Sequence, residues 1–196
     1  MLVSLRYQSD RMRPEISIIV PAFDEEARLG GSLNSILGYV EKESLDAEII
    51  VVDDGSRDRT AEIATNILLE SGVKRSKVIR YELNRGKGYA VRTGLQSAAA
   101  DIAIFSDADL STPIEEMHKL VRPIAAGEFD IAFGSRALDR SLIGTHQPWR
   151  QGIQPCCQTD DRDAVLGYAV RIQGIQPREI QAVAGCDGDR PLRFRR

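Results

Sequence analysis

The chain has 196 residues, of which 42% are hydrophobic and 28% charged, and its formal net charge is −3. This length is enough for one domain with a buried core. The negative charge and the lack of a basic stripe argue against a nucleic-acid-binding protein. No apolar run reaches the length of a membrane span, and residues 1–15 lack the apolar centre of a secretory signal. We therefore expect a globular protein of the cytoplasm.

Short apolar runs alternate with segments of helical periodicity from residue 16 onward, which is the pattern of a parallel sheet covered by helices. The pattern predicts strands at residues 16–23, 47–56, 77–82, 102–109 and 130–136. It predicts helices between them, at residues 25–43, 58–70, 88–100 and 114–126. The expected fold class is α/β, with a Rossmann-like, mostly parallel sheet. In such open sheets, ligands bind at the carboxyl ends of the strands.

The fourth predicted strand ends in two aspartates, in the sequence "IFSDADLS". Burying an unpaired carboxylate is costly, so Asp107 and Asp109 must meet water, cations or a metal. In an extended segment, side chains two residues apart point to the same face, so both carboxylates can converge on one cation. Mg²⁺ uses one or two carboxylates and fills its other positions with water and phosphate oxygens. The stretch predicts a metal site for a diphosphate, with a solvated loop before a helix near Pro113 as the alternative.

The second predicted strand also ends in acidic residues, in the sequence "VVDDGSRDRT". Asp53 follows a fully apolar run, which makes it a candidate acceptor for a base or ribose donor. Asp54 is equally consistent with a turn residue beside Gly55, and Asp58 is predicted to cap the next helix.

Two glycines flank Lys87 in "NRGKG", immediately before the third predicted helix. Free backbone amides and the positive end of a helix favour an anion there, so Lys87 is a candidate phosphate ligand. The glycines are equally consistent with a plain turn beside a solvated lysine. Arg136 in "GSR", after the fifth strand, is a second candidate because a guanidinium group matches phosphate geometry. Its alternative is an ordinary surface arginine.

The three motifs together, "VDDGS", "NRGKG" and "SDADLS" in this order and spacing, resemble glycosyltransferase family 2, which has the GT-A nucleotide-sugar fold. The resemblance covers residues 16 to about 150. Within the family, "RGKGYAVRTG", "DADLSTPIEE" and "FGSRALDRSLIGTHQPWR" are similar to bacterial relatives of dolichyl-phosphate beta-glucosyltransferase, which are polyprenyl-phosphate hexosyltransferases.

The resemblance implies roles for particular residues. It implies that the nucleotide-sugar-binding residues are Pro21, Glu25, Asp53, Lys87, Asp107 and Arg136. Of these, Pro21 and Glu25 would lie beside the base, Asp53 would contact the nucleoside, and the two basic residues would neutralise the phosphates. Asp107 and Asp109 would be the catalytic pair, lying on the ribose side and holding Mg²⁺ or Mn²⁺.

The implied reaction moves a hexose, with inversion, from a nucleotide-sugar donor to a polyprenyl or dolichyl phosphate at the membrane surface. UDP-glucose is the expected donor, and GDP-mannose or another hexose donor is the alternative. The protein would then lie in the cytoplasm or peripherally on the cytoplasmic face of the membrane. From a different class, the chain could be a truncated, inactive nucleotide-binding module.

The chain changes character after residue 150. The segment 151–196 has no lysine, and it holds Cys156, Cys157 and Cys186, whose spacing indicates neither a zinc site nor a disulfide framework. If its permitted codons are read one base further on, they can spell a continuation typical of the family. This predicts a frameshift near codon 150 and a poorly ordered tail without a strand able to extend the sheet. The expected organisation is an extension at 1–15, a core at 16–150 that is truncated at its C-terminal end, and the tail.

Overall fold

One mixed sheet with packed helices makes up the part of the chain that the computed structural model describes, residues 13–73, 75–110, 113–135 and 165–171. The strands are β1 (Ile16–Ala22), β2 (Ala47–Asp53), β3 (Lys77–Arg80), β4 (Ile102–Ser106), β5 (Ile131–Ser135) and β6 (Val165–Arg171). The helices are α1 (Leu29–Lys42), α2 (Thr60–Glu70), α3 (Lys87–Ser97) and α4 (Met117–Ala125), with a 3-10 turn Ile114–Glu116 before α4. Among the described helices, none is both long and apolar enough to cross a membrane.

The strand order across the sheet is β3-β2-β1-β4-β6-β5. Strands β3, β2, β1 and β4 run parallel to one another, and β6 runs antiparallel to both β4 and β5. Strand β1 pairs with β2 along its whole length, from Ile16 opposite Ala47 to Ala22 opposite Asp53. The carboxyl ends of β1, β2 and β4 therefore meet at one edge of the sheet. All predicted strands and helices are confirmed, with ends that differ by a few residues.

Strand β1 is buried on both faces, which explains its continuous apolar sequence. Ile18 and Val20 belong to one hydrophobic core, together with residues of α1 and α4. Ile19 points to the other face and packs in a second core with Val91 and Leu95 of α3. Because an unpaired charge is costly in these two cores, Asp53 and Asp107 stand where β2 and β4 leave them.

Strand β6 corrects our prediction that the segment after residue 150 has no strand able to extend the sheet. The residues Val165–Arg171 form a strand inside the sheet, where Ala169 pairs with both Ile104 of β4 and Ala132 of β5. The run from Val165 to Val170 contains valine, leucine and tyrosine and no charged residue, a composition that suits a strand. The polar residues on both sides of this short run hide it in the overall composition of the segment. The frameshift near codon 150 stays a prediction.

Glu48 of β2 is a buried carboxylate far from the carboxyl edge. Its Oε1 accepts hydrogen bonds from Ser17 Oγ and from the Ala99 amide, each at 2.5 Å, and its Oε2 lies 3.7 Å from Lys77 Nζ. Through its bonds to Ala99 and Ser17, Glu48 connects the loop between α3 and β4 to β1. Glu48 is therefore a structural acid, unlike the carboxylates at the carboxyl edge.

Helix α3 approaches β1 closely at Gly94. A Cβ atom added at this glycine would lie 2.3 Å from Cγ2 of Ile19, which is fully buried. No real side chain tolerates that distance, so the absence of a side chain at position 94 sets how close α3 lies to the sheet. Since α3 begins at the carboxyl edge, this contact also helps to fix the first residue of the helix.

We expect Gly94→Ala to lower the free energy of unfolding by about 1–3 kcal/mol, because the added methyl group must push α3 away from Ile19. Gly38→Ala in α1 is the matched control, since nothing lies within 4 Å of a Cβ there. That variant should be neutral or gain up to about 1 kcal/mol from helix propensity. Urea denaturation of the three proteins measures the difference. Equal stability of the two variants would contradict the close packing of α3 on β1.

Candidate active site

A cavity of about 320 Å³ opens at the carboxyl edge, where β1, β2 and β4 end. Its lining includes Pro21, Glu25, Asp54, Lys87, Asp107 and Asp109. Five residues that the sequence predicts for the site are therefore brought together, although they come from three separate loops. Asp53 does not line the cavity, and Arg136 lies outside the described residues.

Asp107 and Asp109 lie in a tight turn rather than on an extended strand. Strand β4 ends at Ser106, the Leu110 amide donates to the Asp107 carbonyl at 3.0 Å, and Leu110 has a positive φ of 48°. The extended geometry that we predicted for this stretch is therefore wrong, because charged side chains cannot continue a buried strand without losing their solvation. Both carboxylates still line the same cavity, as the prediction required.

Lys87 forms an ion pair with Asp107 across the cavity. Its Nζ lies 2.7 Å from Asp107 Oδ1 and 5.7 Å from the centre of the Phe105 ring. Helix α3 begins at this lysine, directly after Gly86, whose φ of 88° suits glycine. Asp107 Oδ1 is buried and has no donor in hydrogen-bond geometry, so the contact is one of charge rather than a hydrogen bond.

The two neighbouring aspartates at the end of β2, Asp53 and Asp54, have different roles. Asp54 lines the cavity, and its Oδ1 and Oδ2 accept the backbone amides of Arg85 and Gly86, each at 2.8 Å. Asp53 is fully buried behind it, where Oδ1 accepts the Ser56 amide at 3.0 Å and Oδ2 lies 3.2 Å from Arg80 Nε. Asp54 therefore anchors the β3–α3 loop, which is the loop that carries Lys87.

Tyr81 lies next to the same carboxylate. Burial and, after it, the interaction of its hydroxyl group with Asp54 raise the pKa of Tyr81 above the ordinary value of a phenol. Its ring also makes an edge-to-face contact with Tyr89 of α3, with the ring centres 5.4 Å apart. Tyr81 stays protonated and fills the space between β3 and α3.

The loops that follow β1 and β2 are joined by hydrogen bonds. Three consecutive amides of the β1–α1 loop donate to side chains of the β2–α2 loop and of the first residue of α2. The pairs are Asp24 to Ser56, Glu25 to Thr60 and Glu26 to Asp58, at 3.0, 2.8 and 3.1 Å. In return, Asp24 Oδ1 accepts the Arg57 amide at 2.8 Å. Asp24 has a positive φ of 53°, which this network supports. The two loops therefore form one wall of the cavity.

Asp58, which the sequence predicts to cap α2, lies one residue before the N-cap position of this helix, which is Arg59, and it joins the two loops. Its Oδ1 accepts the Thr60 amide at 2.9 Å at the start of α2, while Oδ2 accepts the Glu26 amide at 3.1 Å. Burial by itself would raise the pKa of Asp58, but the hydrogen bonds from Thr60 and Glu26 outweigh it and lower the pKa.

Arg28 is a residue of the site that the sequence analysis missed. Its Nε and Nη2 donate to the two carboxylate oxygens of Glu25 at 2.7 and 2.9 Å, and its Nη1 lies 3.9 Å from Asp109 Oδ2. The spacing of three residues between Glu25 and Arg28 is a signal for an ion pair at a helix start. The contact with Asp109 has no local signal, because Arg28 follows β1 and Asp109 follows β4, far apart in the sequence.

The donor set at this edge fits a hard divalent cation. Among the described residues, no cluster of three or more His, Cys, Asp or Glu side chains could hold a metal without other ligands. The chain would supply one or both carboxylates of Asp107 and Asp109, and Mg²⁺ or Mn²⁺ commonly completes such a shell with water and phosphate oxygens. The buried Asp107 Oδ1, which lacks a hydrogen-bond donor, is the atom that such a cation would satisfy.

We expect Asp54→Asn to loosen the loop that carries Lys87, because an amide nitrogen cannot accept a hydrogen bond from Arg85 or Gly86. Hydrogen exchange of these two amides should become roughly tenfold faster, since bonds to a charged acceptor contribute about 1.5–3 kcal/mol. Asp46→Asn is the control, because Asp46 is a surface residue paired with Arg75. Unchanged protection of the Arg85 and Gly86 amides would show that Asp54 does not anchor this loop.

Comparison with known proteins shows which family this chain resembles. The chain matches the model of "Glycosyl transferase family 2" over residues 17–167. It is 38% identical to the dolichyl-phosphate beta-glucosyltransferase of Drosophila melanogaster over 147 residues, which are 69% of this chain and 45% of that protein. It is 31% identical to the undecaprenyl-phosphate 4-deoxy-4-formamido-L-arabinose transferase of Pseudomonas aeruginosa over 179 residues, 87% of this chain and 50% of that protein. The chain thus spans about half the length of these curated relatives.

Two solved structures show the same fold. One is glucosyl-3-phosphoglycerate synthase from Mycobacterium tuberculosis in complex with Mn²⁺, UDP-glucose and phosphoglyceric acid, with a TM-score of 0.54, 23% identity, and coverage of 82% of this chain and 57% of that chain. The other is mannosyltransferase PcManGT from Pyrobaculum calidifontis in complex with GDP-Man and Mn²⁺, with a TM-score of 0.52, 24% identity, and coverage of 61% and 34%.

These likenesses confirm the GT-A fold and show that proteins with this fold have been solved with Mn²⁺. The family model covers most of the chain, including every described loop of the cavity. The resemblance that the strand-end motifs indicated is therefore confirmed: this chain belongs to glycosyltransferase family 2.

Proposed function

We propose that the chain binds the donor in an enzyme that transfers a hexose, with glucose from UDP-glucose expected, to a polyprenyl phosphate. Support comes from the relatives named above, whose names specify dolichyl phosphate or undecaprenyl phosphate, both of which are polyprenyl phosphates. The observation that carries the proposal is the meeting of Lys87, Asp107 and Asp109 in one cavity at the carboxyl edge. That arrangement suits a diphosphate bound with a divalent cation.

The charge of the cavity explains why a diphosphate would need that cation. The described charged groups at the cavity are the carboxylates of Glu25, Asp54, Asp107 and Asp109 and the cations of Lys87 and Arg28. Four carboxylates against two cations repel a diphosphate. A divalent cation cancels the remaining negative charge, so metal and nucleotide should bind together.

The proposed chemistry is a single displacement at the anomeric carbon. Lys87 would neutralise the donor diphosphate, and Mg²⁺ or Mn²⁺, when bound, would stabilise the negative charge that develops on the leaving group. A phosphate acceptor is already anionic near neutral pH, so its attack needs no strong general base. One displacement inverts the anomeric centre. Asp107 and Asp109 would act by holding the leaving group in place rather than by moving a proton.

We also propose which residues contact the nucleoside of the donor. Pro21 and Glu25 line the cavity, as a place beside the base requires. Asp53 is expected to contact the nucleoside, but in this structure it is buried behind Asp54 and bonded to Ser56. A donor contact by Asp53 would therefore need the Ser56 turn to open. Arg136 is proposed as a second phosphate ligand and lies outside the described residues.

One observation favours a second candidate, a nucleotide-binding module without transferase activity. The chain spans about half the length of its curated relatives, and the described cavity holds groups suited to a donor but no described apolar groove for a lipid. The proposed enzyme acts at the cytoplasmic face of a membrane, where its acceptor lies. A module would bind the donor and leave a lipid phosphate untouched, which an assay of transfer can distinguish.

We expect Lys87→Ala to weaken UDP binding by roughly tenfold and to leave uridine binding unchanged, because the lost ammonium group would face the diphosphate. Isothermal titration calorimetry in the presence of Mn²⁺ gives both affinities. Lys42→Ala, in the last turn of α1, is the control and should alter neither. If both ligands lost affinity equally, Lys87 would support the cavity wall instead of binding phosphate.

We expect labelled glucose to pass from UDP-glucose to a polyprenyl phosphate in the presence of Mn²⁺, and Asp107→Asn and Asp109→Asn to lower this transfer at least about hundredfold. Asp101→Asn, at the amino end of β4 and paired with Arg13 on the surface, should keep it. GDP-mannose is the alternative donor in a parallel assay. UDP binding without transfer would support the module.

The predicted frameshift has a test of its own. The protein expressed from a gene shifted by one base at codon 150 should transfer more glucose than the present chain.

A further inference from the structure

We propose that Arg28 is an internal counter-cation of the metal-binding carboxylates, which a divalent cation must displace from Asp109 before it binds. The inference rests on the proposed function, because it concerns how the same cavity accepts its metal and nucleotide. Arg28 contacts neither the proposed metal position nor the donor in this role. It is a positioning residue that acts through Glu25 and Asp109.

The geometry assigns one protein cation to each aspartate of the pair. Lys87 Nζ lies 2.7 Å from Asp107 Oδ1, and Arg28 Nη1 lies 3.9 Å from Asp109 Oδ2. The aspartate side chains are 24% and 37% exposed, so water alone solvates them incompletely. With both cations in place the pair is neutralised by the protein. A metal ion that bound these carboxylates would have to compete with both cations.

Glu25 keeps Arg28 at this position. Two of the three guanidinium nitrogens of Arg28 bind the two oxygens of Glu25, which is the forked geometry that an arginine makes with a carboxylate. The third nitrogen is then directed to Asp109. A lysine has one ammonium group and cannot bind both acids in this way. Glu25 is itself fixed, because its amide donates to Thr60 Oγ1 at 2.8 Å.

The longer contact is the one that gives way. The bonds from Arg28 to Glu25 are short, whereas the contact with Asp109 is at the limit of an ion pair, and the Arg28 side chain is 59% exposed. A divalent cation can therefore take Asp109 while Arg28 stays on Glu25. Lys87, released from Asp107, can turn to the diphosphate. Arg28 thus lowers the affinity for the metal alone, and the arriving diphosphate offsets this cost.

The test is the binding of Mn²⁺ to the purified chain without nucleotide, followed by the loss of the electron paramagnetic resonance signal of free Mn²⁺. Arg28→Gln should bind Mn²⁺ about two- to fivefold more tightly than wild type, the range expected for one exposed ion pair. Arg59→Gln is the matched control, because Arg59 pairs with Glu26 one loop away and does not contact either metal-binding aspartate. Arg59→Gln should leave the Mn²⁺ affinity within twofold of wild type, both without UDP and with UDP.

Arg28→Lys separates the fork from simple charge. It should resemble Arg28→Gln, because a lysine on Glu25 no longer reaches Asp109. Wild-type Mn²⁺ affinity in both Arg28 variants, or in Arg28→Lys alone, would overturn the proposal. Addition of UDP should raise Mn²⁺ affinity more in wild type than in Arg28→Gln. If UDP bound to none of the proteins while Arg28→Gln still tightened Mn²⁺ binding, the proposed function would fail and this inference would stand.

Discussion

The bonds from two backbone amides to the carboxylate of Asp54 fix the position of the candidate site. With Arg85 on one oxygen and Gly86 on the other, the β3–α3 loop cannot shift along the edge of the sheet. Helix α3 must then begin at Lys87, and its ammonium group meets Asp107. The same helix is held against β1 by the bare backbone of Gly94. The carboxylate of Asp54 thus decides where the ammonium group of Lys87 lies.

The described carboxylates that we compare fall into two groups, those that accept hydrogen bonds within the fold and those that pair with cationic side chains at the cavity. Glu48 and Asp53 are buried and meet donors of the fold itself. Asp107 and Asp109 are partly exposed, and the partners that we describe for their carboxylates are the cationic side chains of Lys87 and Arg28. A flexible side chain is easily replaced by a metal ion, whereas a backbone amide is not. Whether a carboxylate of this protein can bind a metal ion therefore depends on whether its partner is a side chain or a backbone amide.

The sequence predicts those features that local burial dictates. The ends of β2 and β4 are predictable because Asp53 follows a fully apolar run and only Ser106 separates Asp107 from the apolar run of β4. Asp58 is recognisable as a residue of the helix start, where its Oδ1 accepts the Thr60 amide. Contacts between distant segments left no local signal. Which of the adjacent Asp53 and Asp54 enters the cavity depends on the β3–α3 loop, and the pairing of Arg28 with Asp109 depends on the order of β1 and β4. Strand β6 carries a short local signal of its own, but the polarity of the surrounding segment hides it, and its pairing with β4 and β5 has no local signal.

The insertion of β6 between β4 and β5 has a consequence for synthesis on the ribosome. Strands β1 to β4 can pair as they emerge, because each has a described neighbour that is already present. Strand β5 has only β6 as a neighbour among the described strands, and β6 follows it by about thirty residues. Until those residues emerge, the edge of β4 is open and its backbone groups are unpaired. The nascent protein therefore passes through a stage in which a chaperone, or a neighbouring chain, can reach the half that carries the cavity.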